Sequence, residues 1–208
     1  MLAKICGLTT PETLDAAVRH GATYVGFVFF APSPRDLPID RAAGLSARLP
    51  SRVGGVGVFV DPIDELVARA VREARLGAIQ LHKTAPDRVA ALKRIAGVET
   101  WAAVAIKTRA DLDMARSYAG AADRLLYDAK TPTGSELPGG MGVRFDWALL
   151  DGFAHPLPWV LSGGLDPDNV TEAIRRTGAT AVDVSSGIES APGVKDVDKI
   201  AAFLHAAL

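Results

Sequence analysis

Short apolar runs alternate with longer amphipathic stretches along this chain, and the alternation occurs eight times. The runs are rich in Val, Ile and Phe, and they are LAKIC, TYVGFVF, RVGGVGVFV, AIQL, VETWAAVAI, DRLLYD, PWVLSGG and AVDVSSG. Continuous apolar strands are typical of a parallel sheet covered by helices on both faces. Eight strand–helix units within 208 residues predict a closed (β/α)8 barrel, compact for that fold, with residues 1–208 forming a single domain.

Proline and glycine punctuate the predicted helices. The prolines suited to first helical turns and the glycines suited to C-terminal caps are Pro11, Pro62, Pro86, Pro167, Gly21, Gly97 and Gly178. The alternative architecture is a doubly wound open sheet, whose dinucleotide-binding turn follows the first strand with the spacing G-x-G-x-x-G. The first turn here is CGLTTPE and lacks that spacing, which favours the barrel.

Charge and cysteine content limit the class of protein. The 23 basic and 24 acidic residues give a formal net charge of -1, which argues against a nucleic-acid binder but permits an anionic small-molecule ligand. A single cysteine, Cys6, cannot form an internal disulfide and fits a reducing compartment. The sequence has no recognisable signal peptide or membrane-spanning run, so we expect a soluble cytoplasmic protein without a membrane partner.

One connection is long for a compact domain. Residues 129–144, AKTPTGSELPGGMGVR, follow the sixth strand and precede FDWALLDG, which has a helical pattern. Loops of this length are usually functional or disordered. Because active sites of barrels lie at the C-terminal ends of the strands, we expect this loop to be a mobile cover over the site.

Polar residues stand at or just beyond the C-terminal ends of the predicted strands. In a barrel these ends converge on one mouth. Besides the glycines and serines of the last two strand ends, the residues there are Cys6, Arg35, Asp61, Gln80, His82, Lys107, Asp128, Ser162 and Asp183.

Small residues after the last two strands predict an anion site. Gly163 and Gly164 follow strand seven, and Ser185, Ser186 and Gly187 follow strand eight. Adjacent small residues expose main-chain N–H groups, and the start of a helix adds a positive dipole. Barrels commonly hold a phosphate with these two loops, so we predict phosphate binding here rather than tight turns alone.

Cys6 and Asp128 each have an ordinary and a functional interpretation. A free cysteine is often a small buried apolar residue, and it acts as a base only if its pKa falls below about 8.5, to which Lys4 and Lys130 could contribute. An aspartate at a strand end can cap a loop. Burial beside an anion, however, raises the pKa of a carboxyl until it can act as a general acid.

Arg35 and His82 also have two interpretations. The fork of Arg35 suits a carboxylate, whereas a surface pair with Asp36 would contribute little. His82 either orients a substrate or is an ordinary polar residue at a strand end. No spacing of His, Cys and Asp suggests a metal site, and GGVGV lacks the Lys and Ser/Thr of a nucleotide phosphate loop, so we expect no metal and no cofactor.

Segments along the whole chain resemble the phosphoribosylanthranilate isomerase family of tryptophan biosynthesis. They are KICGLT, VGFVFFAPSPR, GVFVD, AIQLH, LLYDAKTP, GGMGVRFDW, WVLSGGLDPDNV and AVDVSSGIESAPGVKD. The resemblance implies an Amadori rearrangement of N-(5'-phosphoribosyl)anthranilate, a phosphosugar, to an open-chain 1-deoxyribulose phosphate without a cofactor. It further implies that Cys6 is the general base, that Asp128 is the general acid, and that Arg35 binds the anthranilate carboxylate. Asp183 would support the phosphate-binding loops.

Three positions depart from the family pattern. Lys83 stands where the family often has glycine, Asp36 lies beside Arg35, and Ala129 replaces the usual Ser or Thr after the acid. Two rival interpretations remain. One is the sister isomerase of the histidine pathway, which is expected to have an aspartate where this chain has Cys6. The other is a non-catalytic phosphosugar-binding barrel. Either a monomer or a homodimer is compatible with the sequence.

Overall fold

Eight parallel strands close into a barrel in chain order, which confirms the predicted (β/α)8 fold. The computed structural model describes residues 1–130 and 142–208. The strands β1 to β8 are Leu2–Cys6, Tyr24–Phe29, Gly54–Val60, Ala78–His82, Glu99–Ile106, Arg124–Ala129, Trp159–Leu161 and Ala181–Val184. Pairing of β1 with β8 completes the ring, and at this seam Lys4 lies opposite Asp183 in register.

Helices surround the barrel. The α-helices of the described residues, α1 to α7, are Pro11–Arg19, Ile39–Ser46, Asp64–Glu73, Pro86–Ala96, Arg109–Asp113, Val170–Thr177 and Val197–Ala207. Short 3-10 helices cover Met114–Tyr118, Trp147–Leu150 and Ser186–Ile188, and an antiparallel hairpin pairs β9, Glu189–Ala191, with β10, Val194–Lys195. Because α7 packs against both α1 and α6, the helical layer closes where the barrel closes.

Several helix ends follow the predicted punctuation. Pro11 and Pro86 occupy the first turns of α1 and α4. Gly97 and Gly178 end α4 and α6 with φ values of 64° and 69°, a left-handed conformation that glycine adopts easily. Gly21, with φ 96°, follows the residue that caps α1.

The prediction was wrong for Pro62 and Pro167, which precede their helices instead of starting them. The helix α3 begins at Asp64 after an extended cap residue, so Pro62 still belongs to the turn out of β3. Before α6, the carboxylate of Asp166 accepts main-chain N–H bonds from the second and third residues after it, and this turn holds Pro167 outside the helix. Proline has a φ that suits such turns as well as first helical turns.

The connections after β5 and β6 carry less α-helix than predicted. The helix α5 gives way to a 3-10 helix over Met114–Tyr118, where the hydroxyl of Ser117 donates to the carbonyl of Met114 at 2.7 Å. Such a local bond competes with regular helical pairing. The FDWALLDG segment forms only the 3-10 turn Trp147–Leu150, capped by the side chain of Asp146.

The barrel interior changes from apolar to polar along its axis. An apolar inner layer is formed by Val56, Ala78, Trp101, Leu126, Val160 and Ala181. Buried polar side chains lie nearer the C-terminal ends of the strands, namely Lys4, Gln80, Asp128, Ser162 and Asp183. The alternate residues of the strands face outward and pack beneath the helices, as Ile5 and Phe27 do. The apolar layer closes one end of the barrel, and the polar end is therefore its mouth.

The predicted cover loop, residues 129–144, falls mostly outside the described residues, and its covering role stays a prediction. In the part of the chain that the structure describes, no helix is both long and apolar enough to cross a membrane.

Replacement of two glycines by alanine should change the free energy of unfolding in opposite directions. We expect Gly97→Ala to lower the free energy of unfolding by about 1 kcal/mol, because alanine disfavours the left-handed conformation. Gly44 lies in α2 with nothing within 4 Å of an added methyl group. Gly44→Ala should therefore raise the free energy of unfolding by about 0.5–1 kcal/mol. Urea denaturation measures both changes, and two changes of the same sign would contradict the assignment.

Candidate active site

A cavity of about 800 Å³, including its open mouth, lies at the C-terminal end of the barrel. Nine predicted site residues line it: Cys6, Arg35, His82, Asp128, Gly163, Gly164, Asp183, Ser185 and Ser186. Gly187 lies outside this cavity, in an adjoining groove that Arg35, Gly164 and Ser186 share. The fold thus gathers residues from distant parts of the sequence around one opening.

Asp128 lies buried at the C-terminal end of β6. Its Oδ1 accepts the main-chain N–H of Ala129 at 2.8 Å. Gly163 packs against it so closely that an added methyl group would lie 3.0 Å from Oδ1. Burial, assisted by the nearby carboxylate of Asp183, raises the pKa of Asp128 to about 7. At neutral pH the carboxyl therefore keeps its proton in roughly half of the molecules, which suits a general acid.

Cys6 ends β1 and lies in the cavity wall, 6% exposed. Burial raises the pKa of the thiol above its ordinary value; the Lys4 ammonium opposes this rise, and the Asp183 carboxylate adds to it. A lowered pKa is the condition for Cys6 to act as a base, and in the free protein the shift is in the opposite direction. Lys130 does not contribute, because its ammonium pairs with Asp111 at 2.8 Å away from the cavity.

Lys4 and Asp183 form a buried ion pair inside the barrel. The Lys4 Nζ lies 2.8 Å from Asp183 Oδ1, and the two side chains are 1% and 5% exposed. The other oxygen of Asp183 accepts the hydroxyl of Ser162 at 3.0 Å. Both carboxylate oxygens therefore have partners within the protein, and the negative charge of Asp183 is balanced locally.

His82 and Gln80 form a neutral polar pair on β4. The Nε2 atoms of the two side chains are 2.8 Å apart. Burial, assisted by Lys4, lowers the pKa of His82 to about 4, so the imidazole is uncharged at neutral pH. Gln80 was predicted to lie at the mouth but was given no role, although it lies two positions before His82 and so faces the same side of the strand. Its Oε1 is buried without a hydrogen-bond partner among the described residues, and the side chain lines the cavity.

Arg35 is buried and pairs with Glu189 instead of Asp36. Its Nε and Nη2 each donate to one oxygen of the Glu189 carboxylate at 2.7 Å. Lys195 Nζ lies 2.7 Å from Glu189 Oε1. Asp36 accepts the main-chain N–H of Phe30 at 2.7 Å, which braces the loop after β2. Of the two interpretations of Arg35, the surface pair with Asp36 does not form, and the fork of Arg35 already binds one carboxylate of its own chain.

Glu189 and Lys195 were missed by the sequence analysis. They flank the hairpin of β9 and β10, and Lys195 also donates to the carbonyl of Ser185 at 2.9 Å. The available signal was their presence in IESAPGVKD, a segment that carries the family resemblance. These contacts connect Arg35 to the loop after β8.

The loops after β7 and β8 pack main chain against main chain. A methyl group on Gly187 would overlap the carbonyl of Leu165, so the two loops meet only because this residue is glycine. Gly163 and Gly164 have φ values of 83° and 66° in the left-handed region. Successive main-chain groups in such turns form concave surfaces that can bind anions.

The two remaining departures from the family pattern have local explanations. Lys83 is exposed and has φ 51°, a left-handed conformation in which glycine is favoured over lysine. Ala129 contacts Asp128 through its main-chain N–H, which any residue except proline supplies.

Fold and cavity together define a class: a (β/α)8 barrel whose mouth combines a thiol, a carboxyl with a raised pKa and closely packed glycine loops, an arrangement suited to acid–base chemistry. A sequence model of the N-(5'-phosphoribosyl)anthranilate (PRA) isomerase family matches residues 3–206. The chain belongs to this family, as its motifs predicted.

Relatives and solved structures agree with this assignment. The N-(5'-phosphoribosyl)anthranilate isomerase of Paramagnetospirillum magneticum is 51% identical over 205 residues, which are 98% of this chain and 95% of that protein. The phosphoribosyl anthranilate isomerase structure from Thermotoga maritima has a TM-score of 0.88 at 37% identity, covering 100% of this chain and 98% of that one. Another structure of such an isomerase, in complex with reduced 1-(o-carboxyphenylamino)-1-deoxyribulose 5-phosphate, has a TM-score of 0.85 at 34% identity, with coverages of 100% and 98%.

The raised pKa of Asp128 predicts that Asp128→Asn stabilises the protein at neutral pH. Between about pH 4 and pH 7 the folded chain binds more protons than the unfolded chain, so the free energy of unfolding falls as pH rises through this range. The loss reaches about 4 kcal/mol above pH 7. Asparagine keeps an acceptor for the Ala129 N–H without this loss.

Urea denaturation at pH 5 and pH 8 tests this prediction. The stability advantage of the Asp128→Asn variant over the wild type should be larger at pH 8. Asp40→Asn, on the exposed side of α2, serves as the matched control and should show no such pH-dependent difference. An equal advantage at both pH values would contradict the raised pKa.

Proposed function

We propose that this chain catalyses the Amadori rearrangement of N-(5'-phosphoribosyl)anthranilate to 1-(2-carboxyphenylamino)-1-deoxyribulose 5-phosphate in tryptophan biosynthesis. The observation that carries the proposal is the placement of Cys6 and Asp128 on the wall of one cavity, from β1 and β6. Family membership and the names of close relatives support the reaction. The reaction is an isomerisation with no net oxidation or reduction, so an acid and a base suffice.

Asp128 is proposed to act first, as the general acid. Its protonated carboxyl donates to the ring oxygen of the furanose while the lone pair of the anilino nitrogen forms a C=N bond. The C1'–O4' bond breaks, and the products are a protonated Schiff base and the carboxylate of Asp128. A pKa of about 7 keeps the proton available at neutral pH.

Cys6 is proposed to act second, as the general base. The thiolate removes the C2' proton, and the released electron pair forms the C1'=C2' bond while the Schiff-base nitrogen becomes neutral. The resulting enolamine loses its O2' proton and gains a proton at C1' to become the ketone. The Schiff-base cation next to the sulfur lowers the pKa of the thiol when the base is needed, which offsets the rise caused by burial.

The remaining predicted residues are proposed to hold the substrate. The packed loops with Gly163, Gly164, Ser185, Ser186 and Gly187 would bind the phosphate, and Asp183 would support them from β8. A separate group would hold the aromatic end.

That group is formed by Arg35 and His82. Arg35 is proposed to bind the anthranilate carboxylate, with Glu189 fixing the plane of its guanidinium through two hydrogen bonds. His82 is proposed to orient the substrate by hydrogen bonding instead of by charge, because its pKa of about 4 leaves it neutral.

We also propose that residues 1–208 form one domain and that the protein works in the cytoplasm. Because β1 pairs with β8 and α7 packs on α1, both ends of the chain contribute to the same barrel. A base that is a free thiol must stay reduced, which favours a reducing compartment. Both a dimeric isomerase and monomers generated from it occur among the related structures. The proposed site residues all come from one chain, so neither state needs a partner to supply them.

Substitution of the acid or the base should abolish most turnover. We expect Cys6→Ser and Asp128→Asn each to lower kcat by about 10²–10⁴-fold, because serine is not basic at neutral pH and asparagine has no acidic proton. Loss of anthranilate fluorescence follows the reaction, and Asp40→Asn is the control. An active Cys6→Ser variant would remove the base assignment, and tight binding without turnover by the wild type would favour the phosphosugar-binding barrel.

A negative charge in the phosphate-binding loops should weaken substrate binding. We expect Ser186→Asp to raise KM roughly 10- to 100-fold with a smaller effect on kcat, because its carboxylate repels the phosphate. Ser51→Asp adds the same charge in the exposed turn before β3, at the opposite end of the barrel, and should leave KM unchanged. Steady-state kinetics on both variants decides, since equal KM values would contradict the phosphate assignment.

A further inference from the structure

Lys4 is a charged residue that is almost completely buried, and the proposed mechanism gives it no role. Its side chain is 1% exposed inside the barrel, where an ammonium is strongly unfavourable without partners. Asp183 is one partner, at 2.8 Å. An ammonium has three N–H donors, so this ion pair alone does not satisfy it.

The second neighbour of Lys4 is the thiol of Cys6. The two residues lie two positions apart on β1 and face the same side of the strand. A methyl group built on Gly26 of the adjacent strand would lie 2.9 Å from Cys6 Sγ and 3.2 Å from Lys4 Nζ. The sulfur and the ammonium therefore border one small space, and it stays open because residue 26 is glycine.

We propose that Lys4 is a positioning residue for the catalytic base: its ammonium, anchored by Asp183, donates to Cys6 Sγ and stabilises the thiolate that removes the substrate proton. This inference rests on the proposed role of Cys6. Lys4 then has two roles. It pairs with Asp183 where β1 meets β8, and its ammonium lies next to the sulfur of Cys6.

The charges around the sulfur support this assignment. Burial alone lowers the pKa of Lys4, but Asp183 and Cys6 outweigh it and raise the pKa, so Lys4 remains an ammonium across the working pH range. Among the influences that lower the pKa of Cys6, that of Lys4 is the largest, ahead of Lys195 on β10. Lys195 lies 2.7 Å from Glu189 Oε1 and also donates to Ser185, so it is held away by other partners.

The charged and titratable groups that line the cavity do not replace Lys4. Asp183 on β8 carries a negative charge and raises the pKa of Cys6. Asp128 on β6 is neutral or negative, depending on pH, around its pKa of about 7. His82 on β4 has a pKa of about 4 and is neutral at working pH. On β2, Gly26 has no ionisable side chain. Arg35, in the loop after β2, lines the cavity, but its guanidinium donates to Glu189 through two bonds of 2.7 Å.

The single cysteine makes the thiol directly measurable. Alkylation of the folded protein by iodoacetamide, followed by mass spectrometry across a pH series, reports only on Cys6, and Cys6→Ser is the blank. We expect Lys4→Met to move the pH midpoint of alkylation upward by at least one unit, so that the rate below the midpoint falls at least tenfold. The Lys4→Met kcat should fall with little change in KM, and Lys4→Arg should recover part of the midpoint shift.

Lys195→Met is the matched control for loss of a buried cation, and its midpoint shift should be less than half that of Lys4→Met. An unchanged midpoint in folded Lys4→Met, or an equal shift in both variants, would overturn the proposal. If Lys4→Met does not fold, Asp183→Asn is compared with the double variant Lys4→Met/Asp183→Asn, which leaves no unpaired carboxylate. The double variant should have the higher midpoint, and equal midpoints would overturn the proposal.

The experiments distinguish a failure of the role proposed for Lys4 from a failure of the proposed function. An active Cys6→Ser variant would refute the base assignment while the alkylation midpoint still depended on Lys4. Conversely, an inactive Cys6→Ser variant with a midpoint independent of Lys4 would leave the base assignment in place and refute the role of Lys4.

Discussion

The ion pair between Lys4 and Asp183 is the interaction on which the barrel and its site both depend. The two residues lie opposite each other in register where the first strand meets the last, and their charges are buried 2.8 Å apart. Removing one partner of such a pair costs roughly 3–5 kcal/mol, because the other charge is left buried and unpaired. The same two charges act on the groups above them: Lys4 opposes the raised pKa of Cys6, and Asp183 adds to that of Asp128.

Around this pair, burial shifts the pKa values of three groups at the mouth toward their neutral forms. Burial raises the pKa of Asp128 and Cys6 and lowers that of His82. The combination that the proposed mechanism needs, a protonated Asp128 with a deprotonated Cys6, is therefore a minor population in the free protein. In the proposed mechanism, ring opening creates a cation beside the sulfur, and this cation lowers the pKa of the thiol. The burial that raises the pKa of Asp128 also lowers the free energy of unfolding at neutral pH.

The sequence predicted the barrel and the members of its mouth because both follow from local patterns. Apolar runs define strands buried on both faces, and the parallel topology brings their C-terminal ends together, which placed Cys6 and Asp128 in one cavity. The sequence did not predict which side chains pair with the site residues when the partners lie far apart along the chain. Glu189 lies 154 positions from Arg35, and no local propensity shows that their side chains meet.

Other differences between the prediction and the structure also depend on information that the local sequence pattern does not carry. Proline fits a turn before a helix as well as its first turn, so Pro62 and Pro167 could not be placed by sequence alone. The hydrophobic pattern also does not distinguish a full helix from the 3-10 turns over Met114–Tyr118 and Trp147–Leu150, where side-chain bonds to the main chain decide. Likewise, the direction of the pKa change at Cys6 required knowledge of how deeply the thiol is buried.

The seam between the first and last strands has a consequence for synthesis on the ribosome. Lys4 and Asp183 are 179 positions apart. At about 5–20 residues per second, roughly 10–40 s pass between the translation of the two residues. During that interval the lysine has no carboxylate opposite it, so its ammonium stays hydrated and water keeps access to the inner strand. The barrel interior can exclude water only after the eighth strand has paired with the first, so this strand completes the fold.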